Sequence, residues 1–199
     1  MSAKIAAIVL AAGRSSRMAP RNKLLEPVED KAIVARAAEA AIASGADPVI
    51  VVTGFDAARI EEALRDLKLS FVHNPAFEQG LSASLGFGLR ALPPDSNGAL
   101  ILLGDMPAVE SSVLRALMAA FTGASAICVP MHQGRRGNPI LWGATYFAEM
   151  MTLTGDVGAK PLLARHAHRV IEVPVASYGI FADVDTAEDL ARLKTRSAP

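Results

Sequence analysis

The sequence has one cysteine, Cys128, among 199 residues, so neither an internal disulfide nor a cysteine-cluster metal site is open to it. Cys128 lies in the apolar run 126–129 and reads as a small buried hydrophobe. Net charge is also missing: 20 Lys and Arg balance 20 Asp and Glu, for a formal charge of +0. With no global basic field to hold a polyphosphate backbone, a nucleic-acid partner is disfavoured, although local basic clusters can still bind small anions. No apolar run is long enough for a membrane span. The N-terminal run 5–12 is too short for a bilayer, and it leads into Gly13-Arg14-Ser15-Ser16-Arg17, a strand-to-loop turn rather than a cleavage site. A cytoplasmic protein with no membrane partner is expected. Internal repeats, low-complexity segments and linkers are absent. His73, His132, His166 and His168 show no metal-ligand spacing.

Hydrophobic residues make up 51% and charged residues 20%, a globular balance. The length fits one domain, 1–199, with a frayed tail at 196–199. Apolar runs at 5–10, 48–53, 70–73, 99–103 and 125–130 predict strands. Helical spacing predicts helices over 31–44 (ending at Gly45), 56–68, 82–91, 111–121 and 186–195. Between 135 and 183 the pattern is less regular. Short helices fit 146–151 and 159–166, and β-prone segments fit 140–142, 170–174 and 180–183. Repeated β-α units imply an α/β fold, a Rossmann-like three-layer sandwich with a mostly parallel sheet. Such sheets bind ligands at the carboxyl ends of their strands, so the loops after Leu10, Leu103 and Phe181 should line the site.

Several segments carry candidate chemistry. In Leu10-Ala11-Ala12-Gly13-Arg14-Ser15-Ser16-Arg17-Met18, small residues follow a buried strand, so backbone N–H groups can approach a phosphate or a base. Arg14, Arg17, Arg21 and Lys23 add the cations a triphosphate needs; a solvated basic turn is the alternative. The loop matches neither GxxxxGK[ST] nor GxGxxG. In Leu102-Leu103-Gly104-Asp105-Met106-Pro107, Asp105 stands at the sheet rim, able to ligate Mg²⁺ or to form a turn. Asp185 in Asp183-Val184-Asp185-Thr186 either caps the last helix or faces the cleft, and Asp183 competes for the second role. Ser82 or Ser84, after Asn74, reads as a helix N-cap at an end that also attracts anions. Arg136 and Asn138 in one glycine-flanked loop, and Asp156 in another, could bracket an acceptor phosphate or lie in plain surface turns.

LAAGRSSRM with the downstream NKLL resembles the signature loop of the nucleotidyltransferase superfamily that makes nucleotide-activated sugars and cofactors. Its two-alanine form resembles the molybdenum cofactor cytidylyltransferase branch; the guanylyltransferase branch usually carries LAGG. LGDMP, NPAFEQGLSASL, RRGNPILWG, GDVGAKPLL and DVDTAEDL resemble later segments of that branch, so the likeness spans 5–190. The chain departs from the family pattern at Ala19, where glycine is common, and at Ala187, where proline is usual.

This resemblance implies a Mg²⁺-dependent transfer of a nucleoside monophosphate from an NTP to a phosphorylated acceptor. CTP and molybdopterin are the expected pair. Arg17 and Lys23 would neutralise the triphosphate, and Asp105 and Asp185 would hold the metal. The backbone from Leu10 through Ala11 and Ala12 to Gly13 would read the base, with the Ala12 methyl narrowing the room for a purine. Asn74 and Ser82 would hold the nucleotide, while Arg136, Asn138 and Asp156 would stand on the acceptor side. Transient contact with a recipient molybdenum hydroxylase is implied. A guanylyltransferase or sugar-phosphate nucleotidyltransferase would share the chemistry; a cofactor-binding chaperone without catalysis is the rival from another class.

Overall fold

The computed structural model describes residues 3–18 and 20–196. Strand β1 (Ile5–Ala11) is buried along its whole length. Ile5, Ala7, Val9 and Ala11 enter one core, and Ile8 and Leu10 enter another. A strand covered on both faces needs an apolar residue at every position, which explains the uninterrupted run. After the β1 loop, β2 (Pro27–Val28) and β3 (Lys31–Ala32) form a small antiparallel hairpin. Lys31 pairs with Val28 there, so α1 (Ile33–Ser44) starts later than helical spacing predicts; it closes on Gly45 in the left-handed region, at φ 87°.

The chain continues through β4 (Val49–Thr53), α2 (Ala57–Ala63), β5 (Ser70–His73) and α3 (Leu81–Arg90). Next come β6 (Gly98–Leu103), α4 (Ser111–Ala119), β7 (Ile127–His132), β8 (Arg135–Arg136) and β9 (Ile140–Gly143). Then follow α5 (Phe147–Met150), α6 (Lys160–Arg165), β10 (Val170–Pro174) and α7 (Ala187–Arg196). One eight-stranded sheet runs in the order β10-β7-β9-β6-β1-β4-β5, with β8 beside β7. Strand β9 is antiparallel to β6 and β7, and β8 is antiparallel to β7; the other pairs are parallel. Helices α1, α2, α4 and α7 pack on one face and α3, α5 and α6 on the other. This is the expected three-layer α/β fold.

Two local expectations fail. Helix α2 stops at Ala63 rather than running to 68, because the chain tightens into turns there, with Leu64 N–H donating to Glu61 and Leu67 N–H to Leu64. The β-prone stretch 180–183 forms no strand. Tyr178–Phe181 is a 3-10 turn instead, pressed so closely on the loop after β6 that a β-carbon on Gly179 would stand 1.9 Å from the Ala108 carbonyl oxygen. No ladder fits in that space. Residues 197–199 and Ala19 lie outside the described residues. Among the described residues, no helix is long and apolar enough to cross a membrane.

The topology sets the carboxyl ends of β1, β6, β7 and β10 along one edge. Leu10 stands beside Leu103 in register, and Gly104 N–H donates to the Leu10 carbonyl at 2.9 Å. The loops after β1 and β6 therefore touch where both strands end.

Candidate active site

Lys23 is aimed by its neighbours. Asn22, itself buried, caps the 3-10 turn Lys23–Leu25 by accepting from Leu24 N–H at 3.1 Å. The Ser15 hydroxyl donates to Asn22 Oδ1 at 3.2 Å and accepts from Lys23 N–H at 3.1 Å. Leu24 anchors the turn in the core. The Lys23 side chain, 14% exposed, then carries its ammonium to a junction of two acids. Its Nζ donates to Asp105 Oδ2 at 2.7 Å and to Asp185 Oδ1 at 2.7 Å, while Arg17 donates to the other Asp185 oxygen. Ser15 and Asn22 were not singled out as site residues; an Asn directly before an apolar Lys-Leu-Leu run is the capping signal that points to them.

The acids are fixed as firmly. Asp105 follows β6 at the sheet edge, and its carbonyl accepts from Val184 N–H at 2.9 Å, which ties the 183–185 segment to the β6 loop. Thr186 and Asp189 cap α7 reciprocally: Asp189 N–H donates to Thr186 Oγ1 at 3.1 Å, and Thr186 N–H donates to Asp189 Oδ2 at 2.9 Å. With the capping duty taken, the Asp185 carboxylate is left to face Lys23. Asp183 makes no such pair; its pKa is raised by burial and then by the charges of Asp105 and Asp185.

The electrostatics follow from this crowding. Burial pulls the Lys23 pKa down, but the Asp105 charge and hydrogen bonds to both acids more than offset it, so the net shift is upward. The hydrogen bond from Lys23 holds the Asp185 carboxyl below the usual carboxylate range, with the Lys23 and Arg17 charges adding to it against burial. Asp105 Oδ1 is buried with no hydrogen-bond partner. Leaving a buried polar atom unpaired costs about 1–3 kcal/mol, and a bound cation would relieve it. Among the described residues no group of three or more His, Cys, Asp or Glu side chains could hold a metal ion. The pair Asp105 and Asp185 instead fits an ion that takes one or two carboxylates and completes its shell with waters and phosphate oxygens.

Every other cation of the β1 loop has an acidic partner as well. Arg14 pairs with Glu78 at 2.7 Å, and Arg21 reaches Glu26 at 4.0 Å. Leu10, Ala11 and Ala12 are buried and Gly13 is exposed, so the side chains of the first three point into the protein. A β-carbon on Gly54 would come within 2.8 Å of the Ala12 methyl and 2.7 Å of Phe77 Cβ. The Ala12 methyl thus packs on the β4 loop.

The other expected contact residues lie as follows. Asn74 is wholly buried; its Nδ2 donates to Ser84 Oγ at 3.0 Å and its Oδ1 accepts from Ala76 N–H at 2.9 Å, so it braces the turn before α3. Ser82 is 2% exposed, and its hydroxyl is buried with no hydrogen-bond partner. Neither serine caps α3. That end is closed by the 155–156 turn, where Asp156 Oδ1 accepts from Leu81 N–H at 3.1 Å and the Gly155 carbonyl from Ser82 N–H at 3.1 Å. Asp156 therefore has a structural duty at the start of α3, where two N–H groups are already taken. Arg136 is half-exposed and paired with Glu172 at 2.7 Å. Asn138 N–H donates to the Ile180 carbonyl at 3.0 Å, which places Asn138 beside the 3-10 turn that leads to Asp185.

A small-residue loop after β1 thus stands beside two converging acids and a lysine. The profile of the MobA-like NTP transferase domain matches residues 7–170. The chain belongs to that family. Its similarity to known proteins covers from a quarter of their length to all of it. The purine catabolism protein PucB of Bacillus subtilis is 31% identical over 198 residues, covering 92% of each chain. The bifunctional protein GlmU of Halorhodospira halophila is 31% identical over 120 residues, 60% of this chain but only 25% of GlmU. Rv0371c of Mycobacterium tuberculosis H37Rv, solved as a complex with manganese, superposes with a TM-score of 0.84 at 29% identity, over 98% of this chain and 100% of that one.

Proposed function

We propose that the chain is a CTP:molybdopterin cytidylyltransferase, acting as one nucleotidyltransferase unit with a divalent cation, magnesium first, between Asp105 and Asp185. The observation that carries the reading is the meeting of Lys23, Asp105 and Asp185 at one point, with one Asp105 oxygen unpaired. The manganese complex of Rv0371c supports the metal. An oxygen of the acceptor phosphate attacks the α-phosphorus of the NTP. The new P–O bond forms as the α–β phosphoanhydride bond breaks, and pyrophosphate leaves. The acceptor phosphate is already ionised near neutral pH, so no general base is needed, and catalysis rests on positioning and charge. A divalent cation held by Asp105 and Asp185 would supply neutralisation of phosphate charge. Lys23, released from the acids, and Arg17 hold the β- and γ-phosphates. Of the stretch from Leu10 to Gly13, the exposed main chain at Gly13 is what meets the base; Leu10, Ala11 and Ala12 are buried, and the Leu10 and Ala12 carbonyls accept from Gly104 and Phe55 N–H.

GTP is the second reading, and the packing of Ala12 favours keeping it: a methyl turned toward Gly54 does not exclude a purine. The two-alanine loop remains the reason to place CTP first. Pyrophosphate release over CTP, GTP, UTP and ATP, each against molybdopterin and several sugar phosphates, tests the reading. Turnover highest with CTP and molybdopterin is expected. Preference for GTP would overturn the base assignment, and no release with any pair would leave a cofactor-binding role instead.

A further inference from the structure

The two edges of the sheet are built differently. Its order places β10 at one end and β5 at the other. An edge strand presents a row of unpaired N–H and C=O groups, and charged side chains and proline keep such rows from pairing with another chain. Strand β10 carries both: Glu172, in an ion pair with Arg136, and Pro174 at its end. Strand β5 reads Ser70-Phe71-Val72-His73 and carries neither. Phe71 is 37% exposed, and Ser70 and His73 are exposed as well. Among the described residues no strand lies on the outer side of β5.

The register fixes which main-chain groups are on offer there. Asn74 N–H donates to the Thr53 carbonyl at 2.7 Å, so the even-numbered residues of this stretch turn their main-chain groups toward β4. Successive residues of a strand alternate, so Phe71 and His73 turn theirs outward. An antiparallel neighbour can take all of these outward groups if Phe71 stands opposite its residue 73 and His73 opposite its residue 71. A second copy of this chain, related by a two-fold axis through Val72, meets that condition with itself. Phe71 and His73 lie on one face of the sheet, so each phenyl ring would stand across the ladder from an imidazole. The charges permit this pairing. The strand residues carry no formal charge, and Lys68 falls opposite Ala76 in this register. The chain as a whole has a formal charge of +0, so no long-range repulsion keeps two copies apart.

We propose that the outer edge of β5 is a contact between two copies of this chain, which pair antiparallel through Phe71 and His73 into one continuous sheet. A strand this short buries little area, so the pair belongs to the weak, concentration-dependent class of interface.

Sedimentation velocity of the full chain from about 5 to 500 μM tests the contact. The weight-average mass is expected to rise with concentration toward that of two chains. Phe71→Lys puts a charge on the edge, and His73→Pro removes an N–H that β4 does not use. Each should raise the dimer dissociation constant by at least about tenfold. Thermal melts check that both variants fold, and either one alone decides if the other does not. Amide hydrogen exchange reads the edge itself in the wild-type protein. The Phe71 and His73 amides should exchange quickly at low concentration and slowly at high concentration, while the Val72 amide, turned toward β4, stays protected at both. A protein that remains monomeric at the highest concentration, a dimer that both variants leave intact, or exchange at Phe71 and His73 that ignores concentration would each overturn the contact. An unrelated extended peptide that binds this edge on a chain that stays monomeric would identify a different occupant, and it too counts against the second copy.

Discussion

Replacing Lys23 with Met should make the nucleotide-free protein bind Mn²⁺ more tightly while it turns over more slowly. The Lys23 ammonium stands 2.7 Å from an oxygen of each acid, where a cation shared by the two would sit. Metal entering this site must displace it, and a triphosphate gives it somewhere to go. An opposite charge at close range is worth about 1–3 pKa units, or ~1.4–4 kcal/mol, to a carboxylate. Asp105 is 19% exposed but Asp185 is 37% exposed, so water screens the second pair, and the low end, about tenfold in Mn²⁺ affinity, is the expected gain. The Asp185 pKa is lowered and the Lys23 pKa raised, so at pH 7.5 both groups are charged and the comparison contains no protonation change. Below the folded pKa of Asp185 the pair is lost and the contrast should shrink. Free Mn²⁺ read by electron paramagnetic resonance, without nucleotide, measures the affinity; pyrophosphate release measures the rate, which should fall by roughly 10²-fold or more. Unchanged or weaker Mn²⁺ binding in Lys23→Met would refute the idea that the lysine occupies the cation's place.

Asp105→Asn should leave the fold in place, weaken Mn²⁺ binding and lower kcat by about 10²–10³-fold, since a rim carboxylate contributes little to the core but on the proposed reading would anchor the metal; near-normal kcat at moderate Mg²⁺ would remove Asp105 from the site. Asp156→Ala should lower stability by about 0.5–2 kcal/mol through the uncapped α3 terminus, read as a shift of the urea midpoint, with the acceptor KM within about twofold of wild type. A large rise in that KM would return Asp156 to acceptor binding. Burial pushes the Cys128 thiol up to about 11, so at pH 8 it should resist Ellman's reagent in the native protein and react once urea exposes it; rapid native labelling would contradict its burial.

The sequence by itself determined the fold class and the order of its main elements, because a strand buried on both faces must be apolar throughout, as 5–11 is, and because the apolar runs alternate with helical spacing. It also marked the loops after Leu10, Leu103 and Phe181 as candidate site loops, from the polar residues that follow apolar runs. Tertiary structure decided what no local pattern encodes. Asp185 could cap a helix or face the cleft, and only the Thr186–Asp189 cap together with the Lys23 bond settles which. Asn74, Ser82 and Asp156 carry polar groups that a sequence offers equally to a ligand or to the protein; folding uses those of Asn74 and Asp156 inside the molecule and buries Ser82. The Ala12 methyl turns toward Gly54 because β1 and β4 are neighbours in the sheet, a pairing between residues far apart in the chain.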